Sequence, residues 1–286
     1  MFADTGDGMI RRLLQKVLPK SLRVRLRKSA FIRKIMMRCF GGRCARPYPN
    51  STYVFNFDGY RNIGFSTGSL EDQERAERAW VRNLFETRRP KTVWDVGANV
   101  GFWSLFLTTL APDAVEIRCF EPDPVNLSFL RLNCEQNSIR NWTIRPVGVS
   151  DREGTAQFFT DIVTGSTGSI ERSHNFSERL FASSRGEITI DLTTIDLEVE
   201  RGAKPPEFIK MDVEGHELTA LRGAVNTLRR FRPPLVLEVT AEHEKVGSLL
   251  RECGYNLYDN IGNPLTTPNY YTVATPEEWG GPSPSA

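Results

Sequence analysis

The segment Val93-Trp94-Asp95-Val96-Gly97-Ala98-Asn99-Val100-Gly101-Phe102 sets a carboxylate, two glycines and an asparagine between an apolar run and a helix-like run. Glycine admits positive φ and lets a ligand approach the backbone closely. A helix N-terminus behind such a turn offers free N–H groups and the positive end of a dipole. The spacing D-x-G-x-x-x-G is not the dinucleotide pattern G-x-G-x-x-G, because Asn99 and Phe102 stand where its second and third glycines would be. No Gly-Lys-Ser/Thr follows, which excludes a Walker phosphate loop. A carboxylate at the end of a strand suits a cationic ligand, and S-adenosylmethionine carries an ammonium and a sulfonium. Asp95, Gly97, Asn99 and Gly101 are therefore the first candidates for holding that cofactor. The simpler alternative is a plain strand-to-helix turn.

Cys119-Phe120-Glu121-Pro122 closes the next apolar run. An acid at the end of a second strand can accept both ribose hydroxyls, so Glu121 is expected to do so. Its alternative is a solvated loop acid. The third apolar run ends at Val147-Gly148-Val149-Ser150-Asp151. Adenine is expected against that edge, with Gly148 giving room for the ring and Ser150 or Asp151 meeting its amine. A solvated turn at Asp151-Arg152-Glu153-Gly154 explains the same residues equally well.

A second acidic motif, Asp212-Val213-Glu214-Gly215-His216-Glu217, follows the fourth run. Residues just beyond the carboxyl ends of parallel strands line the ligand crevice. Methyl transfer to an alcohol needs in-line positioning and gains from a general base. His216 is the candidate with the best-placed intrinsic pKa. Asp212, Glu214 or Glu238 could take the proton instead, or orient His216, and His243 is a further candidate. Asp212 could equally hold the cofactor's amino group. Nothing in the spacing fixes three ligands, so no metal is assigned.

These residues sit at the ends of elements that alternate in type. Apolar runs at Thr92–Val96, Val115–Phe120, Trp142–Val149, Phe208–Val213 and Leu235–Val239 are separated by helix-like stretches at Phe102–Leu110, Pro124–Asn137 and Glu217–Phe231. Another helix is expected over Glu242–Cys253, and Gly254–Asp259 with Tyr270–Ala274 reads as a closing pair of strands. Strands alternating with helices of this length predict an α/β fold: a mostly parallel, seven-stranded sheet with helices on both faces. Upstream, residues 41–70 read as loop with one short strand at Thr52–Phe57. Residues 71–89 read as a helix with Leu70, Ala76, Ala79, Trp80 and Leu84 along one face. Thr160–Asn175, rich in Gly and Ser, reads as a lid or a connector.

The order and spacing of these blocks resemble the FkbM family of methyltransferases. The resemblance rests on Val93–Gly101, Phe120-Glu121-Pro122, Val149-Ser150-Asp151 with Gly154, and above all Ile209-Lys210-Met211-Asp212-Val213-Glu214-Gly215-His216-Glu217. Leu221-Arg222-Gly223-Ala224 and Leu235–Val239 also fit. It covers about residues 90–260 and implies a Rossmann-like class I methyltransferase fold, S-adenosylmethionine as donor and a hydroxyl as acceptor, on a small molecule, glycan or lipid-linked compound. The first 90 residues lie outside it. An Asn/Asp-Pro-Pro-Tyr/Phe loop, common in amino-methylating enzymes on this fold, is absent at Asp212-Val213-Glu214-Gly215, which argues against amino-group methylation of nucleobases. No nucleic-acid partner is expected; the alternative functions are a methyltransferase acting on a protein or RNA, and a non-catalytic binding protein that keeps the fold.

The chain of 286 residues carries a net charge of +2, unevenly spread. Residues 1–46 hold 13 Lys and Arg against two acids, and no acid occurs between Gly8 and Phe57. Residues 9–38 read as two short basic amphipathic helices broken at Pro19. They suit either a foot on an anionic membrane surface through residues 9–46 or a helix docked on the catalytic domain. No apolar run reaches 18 residues, so no spanning helix is expected. Cys39, Cys44, Cys119, Cys134 and Cys253 form no CxxC pair and read as reduced thiols of a cytoplasm-like compartment. The expected organisation is a basic extension over 1–46, a loop and helix over 47–90, a methyltransferase domain over 91–275 and a disordered tail over 276–286.

Overall fold

The structure is a computed structural model and describes residues 42–111, 115–161, 168–170 and 185–279. The basic helices expected over 9–38, the tail 280–286 and most of the expected lid lie outside the described residues. The chain begins with β1 (Arg43–Pro47), β2 (Val54–Asp58), α1 (Ile63–Thr67) and α2 (Arg75–Arg88). Then come β3 (Thr92–Val96), α3 (Phe102–Leu110), β4 (Glu116–Phe120), α4 (Pro124–Gln136), β5 (Trp142–Arg145) and β6 (Gly148–Val149). The second half holds β7 (Gly154–Asp161), β8 (Arg185–Thr193), α5 (Ile195–Glu200), β9 (Phe208–Met211), α6 (Glu217–Arg222) and α7 (Val225–Phe231). It closes with β10 (Leu235–Glu238), α8 (His243–Glu252), β11 (Tyr255–Asp259) and β12 (Tyr271–Pro276).

Seven strands form one sheet in the order β11-β12-β10-β9-β3-β4-β5. β3, β4, β5, β9 and β10 run parallel, while β12 is antiparallel to both its neighbours. The first strand of the series, β3, is central, and the strand order reverses between it and β9. That crevice is where open α/β sheets bind ligands. Every residue of β3 and of β9 is buried, as strands covered on both faces must be. This is the Rossmann-like class I methyltransferase arrangement expected above.

Several elements depart from the expectation. Trp142–Val149 is not one strand. Pro146 lacks an N–H for the ladder, so β5 ends at Arg145 and β6 joins a separate sheet, order β6-β8-β7. The β7–β8 hairpin and α5 lie between Val149 and Phe208, where the alternating pattern places no strand or helix. The helix expected over Glu217–Phe231 breaks at Gly223-Ala224. A Cβ on Gly223 would lie 2.0 Å from the Ser150 carbonyl oxygen, and the close approach there parts α6 from α7. On α2 the buried face is Glu77, Arg78, Val81, Leu84 and Phe85, rotated from the expected stripe, and Ala79 is exposed. Position 46 falls inside β1, which pairs with β2 from Arg43↔Asp58 to Pro47↔Val54. At the other end Trp279 lies under the Arg88 guanidinium, 4.2 Å from it.

The N-terminal strands belong to the core. α3 is apolar around most of its circumference, so it needs cover on its outer side as well as against the sheet. Tyr48, Phe55 and Phe65 supply it, with ring centroids 5.5, 5.7 and 5.1 Å from that of Phe102. The Tyr48 hydroxyl donates to the Phe102 carbonyl at 3.0 Å. Asn133 on α4 ties the same layer down by accepting from the Asn56 backbone N–H at 2.7 Å. Among the described residues no helix is long and apolar enough to cross a membrane. Cys119 and Cys253 are buried free thiols, Cys134 is a half-buried free thiol, and Cys44 is half-buried.

Candidate functional site

Gly97 takes φ +79° and Asn99 φ +52°, so the turn after β3 curls back over the sheet end. A Cβ on Gly97 would lie 1.8 Å from the Asp212 carbonyl oxygen. Only glycine lets this turn press against the end of β9. The N–H groups of Gly97 and Ala98 both donate to the Phe120 carbonyl, at 3.0 and 2.9 Å. The Asn99 N–H donates to Glu121 Oε2 at 2.8 Å, and the Asp123 N–H to Glu121 Oε1 at 2.8 Å. Glu121 is thus held at a defined angle by two backbone amides, with a further hydrogen bond from the Asn126 side chain. Burial pushes its carboxyl up to about 8, against the pull of the Asp123 and Asn99 amides.

A cleft of about 570 Å³, open mouth included, runs along the ends of β3, β4 and β9. Gly97, Asn99, Glu121, Asp212, Glu214 and His216 line it. Its remaining wall includes Phe120, Val149, Phe158 and Ile170. Phe158 comes from β7 and Ile170 from the segment Gly168–Ile170, where Ser169 bridges to Phe159 and donates to the Glu214 carbonyl at 2.6 Å. Part of the stretch expected as a lid or connector therefore packs at the cleft.

Other candidates stand elsewhere. Asp95 is fully buried and accepts from the Ser104 hydroxyl at 2.6 Å, beneath the turn and not along the cleft. Burial raises its carboxyl above the ordinary range, opposed chiefly by Lys210. Gly101 begins α3, where a Cβ would lie 2.8 Å from Leu130, so its missing side chain serves helix packing. Gly148 lines the cleft, but a Cβ there would point at Ile190 and Leu192 at 2.9 and 3.0 Å, so the room it leaves is filled by protein. The Ser150 hydroxyl is buried and spans 3.0 Å to His216 Nε2, while Asp151 is partly exposed and lies 3.5 Å from Arg152. His243, at the start of α8, shares a hydrogen bond of 3.0 Å with the Pro268 carbonyl.

The structure gathers Asp212, Glu214 and Glu238, whose carboxylates each present an oxygen within 4.8 Å of the others. Glu238 accepts from the Tyr270 hydroxyl. Burial, then Asp212 and Glu214, push the Glu238 carboxyl up to about 10. Asp212 Oδ1 is shielded from solvent and has no hydrogen-bond partner among the described residues. Lys210, on β9, is buried with its ammonium 3.5 Å from Asp212 Oδ2 and 3.8 Å from Asp95 Oδ1, and it donates to the Gly97 carbonyl at 3.3 Å. Glu74, just before α2, joins the same electrostatic neighbourhood and accepts from the Trp103 indole. Neither Lys210 nor Glu74 stands in the sequence as a candidate for binding or catalysis. A lysine in an otherwise apolar, all-buried strand was the available signal for the first. Glu74 carried none, because only the fold brings α2 to this sheet end.

Residues 95–257 match the family model described as the methyltransferase FkbM domain. The chain belongs to the FkbM methyltransferase family. S-adenosylmethionine is the methyl donor this membership brings. The hexuronic acid methyltransferase AglP of Haloferax volcanii is 31% identical over 183 residues, covering 62% of this chain and 69% of AglP. The 2-O-methyltransferase NoeI of Sinorhizobium fredii is 29% identical over 160 residues, covering 53% and 64%. The 31-O-demethyl-FK506 methyltransferase FkbM of Streptomyces tacrolimicus is 33% identical over 87 residues, covering 30% and 33%. The chain thus spans about two thirds of the length of the first two relatives and a third of the last. A solved structure of an FkbM methyltransferase from Methylobacillus flagellatus is 22% identical with a TM-score of 0.41, covering 65% of this chain and 43% of that one. The residues present fit the donor: a glycine turn closed against the end of β9, a carboxylate fixed at the end of β4, and an Asp212 oxygen with no hydrogen-bond partner among the described residues.

Proposed function

We propose that this chain moves the methyl group of S-adenosylmethionine to a hydroxyl of a small molecule, a glycan or a lipid-linked acceptor. Its FkbM membership supports this, together with relatives named for hexuronic acid, 2-O and 31-O methylation. The observation that carries it is the run of carboxylates from the cofactor cleft outward: Glu121, Asp212, Glu214, Glu238.

In this reading Glu121 accepts the ribose hydroxyls and Asp212 Oδ1 accepts the donor's ammonium. Phe158 and Ile170 pack the adenine. The cofactor supplies an electrophilic methyl on a sulfonium whose thioether is the leaving group. Glu238 takes the proton that the acceptor hydroxyl loses as its oxygen bonds to the methyl carbon. Its raised proton affinity suits a base for a weakly acidic alcohol. His216, bonded to buried Ser150 on the cofactor side, is assigned to cofactor binding.

A tritiated-methyl transfer assay tests the acceptor class, using extracts fractionated into lipid, glycan, protein and RNA pools. Label in the glycan, lipid or small-molecule pool is expected. Label confined to protein or RNA overturns the proposal. The acid-free stretch Gly8–Phe57 favours a second, compatible reading, in which residues 9–46 hold the enzyme at an anionic surface near a lipid-linked acceptor.

A further inference from the structure

Lysine is costly to bury, and a lysine under the floor of a pocket for a cationic donor looks misplaced. Lys210 is 5% exposed and central to β9, between β3 and β10. Four charged groups face its ammonium: Asp95 on β3, Asp212 just after β9, Glu74 before α2 and Glu238 on β10. The ammonium lies 3.8 Å from Asp95 Oδ1 and 3.5 Å from Asp212 Oδ2. The ammonium also donates to the carbonyl of Gly97, the residue on which the cofactor turn pivots.

We infer that Lys210 is a positioning residue for the donor pocket: it occupies one oxygen of Asp212 and anchors the Gly97 turn, so that Asp212 Oδ1 is left for the donor's ammonium. The asymmetry of Asp212 supports this. Its Oδ2 faces Lys210, and its Oδ1 is buried with no hydrogen-bond partner among the described residues. Burial raises the Glu74 carboxyl to about 7, and Lys210 is the largest influence opposing that rise. Asp95 shows the same balance. Burial depresses the lysine's own affinity for its proton, but Asp212, Asp95, Glu74 and Glu238 outweigh it and hold Lys210 charged.

The inference depends on the donor pocket and not on the acceptor, so its test uses S-adenosylhomocysteine, which keeps the ammonium. The dissociation constant is measured by calorimetry between about pH 6 and about pH 8 for the native chain, Lys210→Met and Lys210→Arg. Without the cation, Glu74 and Asp95 hold their protons to higher pH, and the negative charge around the pocket returns only as pH rises. Lys210→Met should therefore steepen the profile, with affinity about tenfold poorer relative to native at the acid end than at the basic end. Lys210→Arg keeps the charge and should keep the shallow native slope. A Lys210→Met profile parallel to native overturns the inference, whether or not affinity drops, because packing alone gives a pH-independent loss. If Lys210→Met does not fold, Asp95→Asn/Lys210→Met removes one buried charge of each sign and is read the same way: a steeper slope supports the inference and a native slope overturns it. Failure of the native chain to bind S-adenosylhomocysteine would instead remove the pocket itself.

Discussion

At the residue scale, the site is defined by which oxygen atoms are already committed. Two backbone amides and the Asn126 side chain fix the Glu121 carboxyl at the mouth of the turn. Replacing one acceptor oxygen by an amide NH2 in Glu121→Gln should weaken S-adenosylhomocysteine by about tenfold, as leaving a buried hydrogen-bonding group without its partner does. The same variant has a stability signature. Burial raises the Glu121 carboxyl from 4.5 to about 8, so the folded state binds that proton more tightly than the unfolded state. Its contribution is complete below the unfolded value and is lost as pH rises through the folded one. Tm of the ligand-free protein should therefore fall less between about pH 5 and about pH 8 in Glu121→Gln than in the native chain. Equal slopes would show that Glu121 does not carry the proton.

Two further residue-scale outcomes separate base from binder. Glu238→Gln should lower kcat by about 100-fold or more with S-adenosylhomocysteine affinity nearly unchanged. Native kcat/KM should rise with pH, because the ionised form acts, and that limb should vanish in the variant. His216→Ala should instead weaken S-adenosylhomocysteine more than it lowers kcat at saturating donor. The opposite split, turnover lost and affinity intact, would return the base to His216.

At the scale of elements, the cofactor turn is only as firm as α3, whose outer face is covered by the N-terminal strands. Phe55 is fully buried there among Tyr48, Phe57, Phe65 and Phe102. Phe55→Ala should cost about 3–5 kcal/mol in urea denaturation, the usual range for a buried aromatic truncated to alanine. A loss below about 1 kcal/mol would mean that this layer is not part of the cooperative core. The β7–β8 hairpin acts similarly from the other side, since Phe158 wedges between the small sheet and the cleft.

At the scale of the whole molecule, charge is segregated along the chain. Residues 1–41 carry eleven basic and two acidic residues, and their deletion takes the net charge from +2 to −7. The cut belongs there and not at 46, since β1 starts at Arg43 and Arg46 donates to the Phe65 carbonyl at 2.6 Å. The shortened chain should sediment less with vesicles containing phosphatidylserine, and added salt should reduce sedimentation of the intact chain toward the same level. Equal sedimentation of both chains at low salt would favour a segment docked on the domain.

The order of elements, the parallel sheet and the glycine turn were legible in the sequence because each is a local signal. Thr92–Val96 and Phe102–Leu110 matched their expected ends, and the Gly97–Glu121–Asp212 series could be placed at strand ends by alternation alone. Short-range patterning reports which face of an element is apolar. It does not report what covers that face or how two charges meet across strands. Only the tertiary structure showed Asp95 turned inward toward Lys210, His216 tied to Ser150, Glu74 delivered by α2 and the N-terminal strands packed over α3. Those placements follow from strand register and from close approaches such as Gly97 on Asp212 and Gly223 on Ser150, contacts between residues far apart in sequence that no window of neighbouring residues encodes.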